Sequence, residues 1–98
     1  METNVDRELT LKVSGNSMYP TLSDGDLISI KRFGEYQVND IVVINCNDHL
    51  VIHRVIHHKS MHNTIYYLTK GDNNNFIDRW FPCKSIVGKV TKRNGYAI

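Results

Sequence analysis

Ninety-eight residues, 41% hydrophobic and 22% charged, suffice for one domain and are too few for two, since most domains need about 100 residues or more to close a core. Twelve basic against ten acidic residues leave a net charge of +2, which excludes the highly charged disordered class and, with no basic cluster, a nucleic-acid footprint. A membrane span needs about 20 apolar residues, whereas the longest unbroken apolar runs, Ile41 to Ile44 and Ile65 to Leu68, are four long, so no transmembrane helix is encoded.

The opening residues, Met1 to Glu8, carry neither the basic end nor the apolar stretch of a secretory signal. If Met1 to Ile98 is the full product, it is expected in the cytoplasm, where Cys46 and Cys83 stay reduced thiols. Leu9, Leu11 and Val13 then alternate with Thr10 and Lys12 as a first strand, closed by the Ser23-Asp24-Gly25-Asp26 turn. Leu27 to Arg32 reads as a second strand, and Ile41 to Ile44, after the break at Val38-Asn39-Asp40, as a buried third. Leu50 to Ile56 and Ile65 to Thr69 read as a hairpin whose loop holds Lys59 to Asn63, and Ile86 to Thr91 as the sixth strand. No helical period of ten residues occurs. The chain is therefore expected to be all-β, one domain over 1–98, a small mixed β structure forming a partly closed coiled sheet or barrel with little helix.

The stretch Val13-Ser14-Gly15-Asn16-Ser17-Met18-Tyr19-Pro20-Thr21-Leu22 places a serine where a strand ends. Gly15 permits a tight backbone and Pro20 cannot continue an interior ladder, so Ser17 is expected on an abrupt, exposed bend. A serine in a bend is by itself ordinary turn chemistry. The G-x-S-x-G elbow is excluded because Tyr19 stands where it needs glycine.

This stretch resembles the serine box of the type I signal peptidases, G-x-S-M-x-P-T-L, with every fixed letter present. Asp24-Gly25-Asp26-Leu27 and Asn39-Asp40-Ile41-Val42-Val43 are similar to the family's next two segments, with Asn39 replacing a glycine. Val51-Ile52-His53-Arg54-Val55-Ile56 resembles its second catalytic box in the endoplasmic-reticulum form, which carries His where the bacterial form carries Lys. Leu68-Thr69-Lys70-Gly71-Asp72-Asn73-Asn74 with Asp78-Arg79 resembles the third box of the eukaryotic and archaeal branch. The boxes run in order from about Val13 to Val90.

The resemblance implies an S24/S26-like serine endopeptidase that removes a leader or signal peptide after small residues (A-x-A), acting on a peptide or precursor protein and needing no cofactor. Amide hydrolysis needs a nucleophile, a base and a group that orients the base, and Ser17, His53 and Asp78 supply these. An imidazole, with an ordinary pKa of about 6.5, accepts a proton at pH 7, whereas a lysine must first be desolvated. Backbone N–H groups at the Ser17 bend suit an oxyanion hole. Gly15, two residues before the serine, adds no side-chain donor. Asp72, Met18 and Arg79 are supporting residues from the same boxes, and Asp72 is the alternative third member, braced on the Gly71 turn.

His49, His53 and His57 would share a helix face and bind zinc with His58, His62 or Cys46 nearby, but interleaved Val51, Ile52, Val55 and Ile56 argue for a strand, along which four residues span about 13 Å. No metal is expected; calcium is excluded by Phe76 in an oxygen-ligand position. Trp80-Phe81-Pro82 reads as a core plug, or as an apolar lip for a leader peptide or lipid surface. The related self-cleaving repressor peptidases use lysine and cut Ala-Gly or Cys-Gly, dipeptides this chain lacks. A binding module on the same scaffold, capturing peptides by strand addition, is the non-enzymatic alternative. Delivery to a bilayer would need a flanking segment or a membrane-anchored or biosynthetic partner.

Overall fold

The computed structural model describes residues 7–98; the opening residues read above for a secretory signal lie outside them up to residue 6. Eight strands follow in chain order: β1 (Glu8–Lys12), β2 (Leu27–Lys31), β3 (Ile41–Cys46), β4 (His49–Met61), β5 (Thr64–Lys70), β6 (Trp80–Pro82), β7 (Ile86–Arg93) and β8 (Tyr96–Ala97), with one 3-10 turn at Cys83–Ser85. They form one antiparallel sheet ordered β1-β2-β7-β3-β4-β5-β6, with β8 on β7. The expected all-β architecture is thus observed, curled into a half-barrel. Bulges drive the curl. The register slips between β2 and β7, between β3 and β7, and between Val55 and His57 of β4, and each extra residue bends its strand and adds right-handed twist.

Two expectations change. The Lys59 to Asn63 loop is a two-residue turn, His62-Asn63, so β4 runs on to Met61. His62 and Asn63 have φ of 51° and 64°, and Asn47-Asp48 and Asn94-Gly95 close their hairpins the same way. Positive φ at both central residues matches the twist of the flanking strands, so the hairpins close without a longer loop. The short strands β6 and β8 were not legible, because three residues ending in proline make no alternation to read. Pro82 is tolerated there because β6 ends the sheet, where a missing N–H breaks no interior ladder.

β3 separates two cores. Ile41 and Val43 pack with Val13, Met18, Leu22, Ile28, Ile30 and Val90, while Val42 and Ile44 pack with Tyr36, Val55, Tyr67, Phe81 and Ile86. Burial on both faces explains why this strand reads as an unbroken apolar run. Phe81 enters the second core and Trp80 faces outward, with Lys59 Nζ 4.3 Å from its ring centroid. Within the second core the Tyr36 N–H donates to Tyr67 Oη over 2.9 Å. Tyr67→Phe should orphan that buried N–H and cost about 1–3 kcal/mol in denaturant unfolding; an unchanged midpoint would show that the bond contributes nothing.

Candidate active site

β1 stops at Lys12 because the next residues take their partners from a turn. Val13 N–H donates to Asp26 O and Gly25 N–H to Val13 O, both over 2.8 Å. Gly15, at φ 89°, gives its N–H to Asp24 Oδ1 over 2.7 Å. The chain then turns through Asn16 to Pro20, with Tyr19 N–H on Asn16 O and a cis Tyr19–Pro20 bond. Met18 and Leu22 are buried in the first core and anchor the turn, which leaves Ser17 half-exposed on its rim.

A second turn, Gly71 to Asn74, holds this bend from outside the sheet. Asn73 N–H donates to Ser17 O over 2.8 Å, Asn73 Nδ2 to Asn16 O over 3.0 Å, and Asp72 N–H to Met18 Sδ over 3.3 Å. A Cβ at Gly71 would lie 2.7 Å from Ser17 O, so the close approach requires glycine. Asp72 takes Arg54 Nε and Nη2 over 2.9 and 2.8 Å on its two oxygens and the Thr21 hydroxyl over 2.7 Å. Those bonds, Arg54's first, hold its carboxyl below the ordinary carboxylate range against the opposing effect of burial. Arg54 also donates to the carbonyl oxygen of Asn39, whose φ is 81°. Asp72 therefore ties the serine bend, through Thr21, to Arg54 of β4.

Asp78 is the carboxylate on the histidine. Its Oδ2 lies 2.5 Å from Nδ1 of His53, a side chain only 8% exposed. His53 stands opposite Val42 on β4, on the face of the second core, while Asp78 is held by Thr69 of β5 through both its N–H, onto Thr69 O over 2.8 Å, and its Oδ2, from the Thr69 hydroxyl over 2.7 Å. Thr69 is wholly buried. It lies in the third box, yet nothing in the pattern separates it from a β-former serving the core.

Ser17 and His53 line one groove of about 430 Å³, walled by Leu11 to Ser14 on one side and Leu50 to Ile52 on the other, with Met18 between. A larger hollow of about 640 Å³ beside Arg7, Arg32 and Phe33 contains no nucleophile or base, so chemistry rather than size selects the first. Among the described residues, the bend's hydrogen bonds use the N–H groups of Gly15, Tyr19 and Leu22 and leave those of Asn16, Ser17, Met18 and Thr21 unused. Arg79 does not join the set: it is exposed, 4.9 Å over the Phe81 ring and 3.7 Å from Cys46 Sγ, and makes no ion pair among the described residues.

The other histidines scatter along β4 and its turn. His57 lies against Trp80 and His58 against Tyr67, and among the described residues no three His, Cys, Asp or Glu side chains converge as a metal site. Cys46 and Cys83 are free, half-buried thiols.

A half-exposed serine on a bend, a buried histidine bound to a carboxylate and a groove that both of them line make up the candidate site of this small all-β domain. The chain belongs to the peptidase S24-like family, whose model matches residues 3–91. It is 34% identical over 101 residues to the signal peptidase complex catalytic subunit SEC11C of Homo sapiens, covering 90% of this chain and 52% of that protein. It is 35% identical over 80 residues to the signal peptidase complex catalytic subunit SEC11 of Plasmodium falciparum, covering 79% of this chain and 43% of that protein. The chain spans about half the length of the curated relatives it matches. No helix of the described residues is long and apolar enough to cross a membrane.

Two variants test the brace. Gly71→Ala should push the Ser17 carbonyl away and cost about 1–3 kcal/mol, with a thermal melt as the readout; an unshifted melt would mean that the two turns are not in close contact. Because the Asp72 carboxyl is depressed when folded, its contribution to stability is full above the ordinary carboxyl value of 3.8 and fades as pH falls through the lower folded value. Asp72→Asn should thus melt earlier than the unsubstituted chain at pH 7, and the gap should close toward pH 2. A gap independent of pH would assign the effect to shape rather than charge.

Proposed function

We propose that this chain is the catalytic domain of a serine endopeptidase that removes leader or signal peptides, with Ser17 as nucleophile, His53 as base and Asp78 orienting the base. The observation that carries the reading is that His53 faces the same groove as Ser17 while its Nδ1 is committed to Asp78. With Nδ1–H donated to the carboxylate, the lone pair resides on Nε2, the nitrogen free to take the Ser17 proton. Asp78 then stabilises the imidazolium, the N–H groups of Ser17 and Met18 receive the developing oxyanion, and His53 returns the proton to the leaving amine. Met18, bonded through sulfur to the Asp72 N–H, and Gly15, bonded to Asp24, hold the bend in that attitude.

The substrate is an extended peptide laid between the end of β1 and the start of β4. In such a strand the first and third residues before the cut face one wall. Here that wall is crowded by Val13, Met18 and Ile52, which favours small side chains at both positions. The similar proteins are named as catalytic subunits of signal peptidase complexes. By that likeness the substrate is a precursor with a cleavable leader, presented by a partner or a flanking segment.

Ser17→Ala and His53→Ala should each lose on the order of 10⁴-fold or more in peptide cleavage, with little further loss when combined, because the groups act as a unit. The melting temperature of Ser17→Ala should stay near that of the unsubstituted chain, since a half-exposed hydroxyl is lost there. A peptide library should show Ala, Gly or Ser at the first and third positions before the cut. Binding of such peptides with no cleavage at all would instead make the chain a peptide-capturing module.

A further inference from the structure

Each of the two aspartates Asp72 and Asp78 accepts a bond from a threonine hydroxyl, and that of Asp78 comes from the strand beside His53. We propose that the Thr69 hydroxyl is a positioning residue for His53, acting through Asp78: it anchors the one carboxylate oxygen that the imidazole uses. The proposal rests on the Ser-His-Asp reading above. Its support is geometric. Asp78 Oδ2 accepts from both Thr69 Oγ1, at 2.7 Å, and His53 Nδ1, at 2.5 Å. Asp78 itself belongs to no strand; it sits between the Gly71 turn and β6, where only its N–H on Thr69 O ties its backbone to β5.

A carboxylate on such a segment can rotate about two side-chain torsions, so its backbone bond alone does not aim the oxygen. The Thr69 hydroxyl removes that freedom. It is itself immobile, wholly buried on the strand paired with β4, with Val55 directly opposite and Tyr67 two residues away on the same face. A buried hydroxyl must find a partner, and donating to an anion is the stronger of the bonds open to it. The chain His53–Asp78–Thr69 therefore fastens the imidazole to rigid sheet at both ends: directly, through β4, and by way of the carboxylate, through β5. Arg54 and Thr21 do the same for Asp72, but that carboxylate bonds the serine bend and not the base.

Thr69→Ser, Thr69→Ala and Thr69→Val separate the hydroxyl from packing, since Ser and Ala lose the same methyl group and differ only in the hydroxyl, while Val keeps the shape and loses the donor. In steady-state cleavage of a leader peptide, Thr69→Ser should retain kcat. Thr69→Ala and Thr69→Val should each lose about 10-fold or more, the worth of one hydrogen bond to a charged group, with KM unchanged. Independently of activity, the low-field proton on His53 Nδ1, assigned by its loss in Asp78→Asn, should persist in the proton NMR spectrum of Thr69→Ser and broaden or vanish in Thr69→Ala and Thr69→Val. Ser and Ala variants falling together in kcat, or a Val variant with full kcat and an unmoved proton resonance, would overturn the proposal. If the unsubstituted chain cleaves no peptide, the proteolytic reading fails alone, because the resonance still decides whether Thr69 holds the pair. Should Thr69→Val not fold, the Ser and Ala pair gives the same decision.

Discussion

Everything at the candidate site depends on the contact between two turns that belong to no sheet. Ser17 lies in a bend with no ladder partner, so its position is set by the Gly71 to Asn74 turn, which reaches its carbonyl, its neighbour Asn16 and the Met18 sulfur. The approach is so close that position 71 has no room for a side chain. A serine hydroxyl aimed by such a contact can be rigid without lying in a strand, and it remains open to the groove because the brace comes from behind. Met18 and Leu22 supply the inward pull, since each is buried in the first core.

The two aspartates of the third box divide the work according to what each meets. Asp72 meets a guanidinium in a two-pronged bond, which neutralises it and spends its acceptor sites on structure. Asp78 meets a threonine and a histidine and no arginine. Arg79, the nearest arginine in sequence, lies over the Phe81 ring instead. Neighbourhood in the chain is no guide to neighbourhood in the site.

The half-barrel brings these parts together by giving its central strand two buried faces. Ser17 rides on a segment plugged into one core, through Met18, while His53 shares a face with the other, across from Val42. They meet in a groove at the sheet's open end, between the exit of β1 and the start of β4. The bulge in β4 lies just beyond His53, between Val55 and His57. It turns the rest of that strand into an exposed hairpin, so His57 and His58 lie away from His53 and the histidine-rich run forms no cluster.

Much of this was legible in the sequence by itself, and for a physical reason: strand alternation, positive-φ turn residues and the glycine of a bend are local rules that a short window displays. Six strands, the all-β class and the boxes holding Ser17, His53, Asp72 and Asp78 follow from such windows and from the family's pattern. The windows did not reveal the full length of β4 or the existence of β6 and β8, because a bulge breaks alternation and two or three residues cannot establish it. Only the tertiary structure decided which aspartate faces the histidine, which N–H groups of the bend are already taken, and that Thr69 and Thr21 are partners of carboxylates rather than strand and turn fillers. Those outcomes depend on hydrogen bonds between segments far apart in the chain, and the choice among several equally competent donors and acceptors is made by packing, which no local pattern encodes.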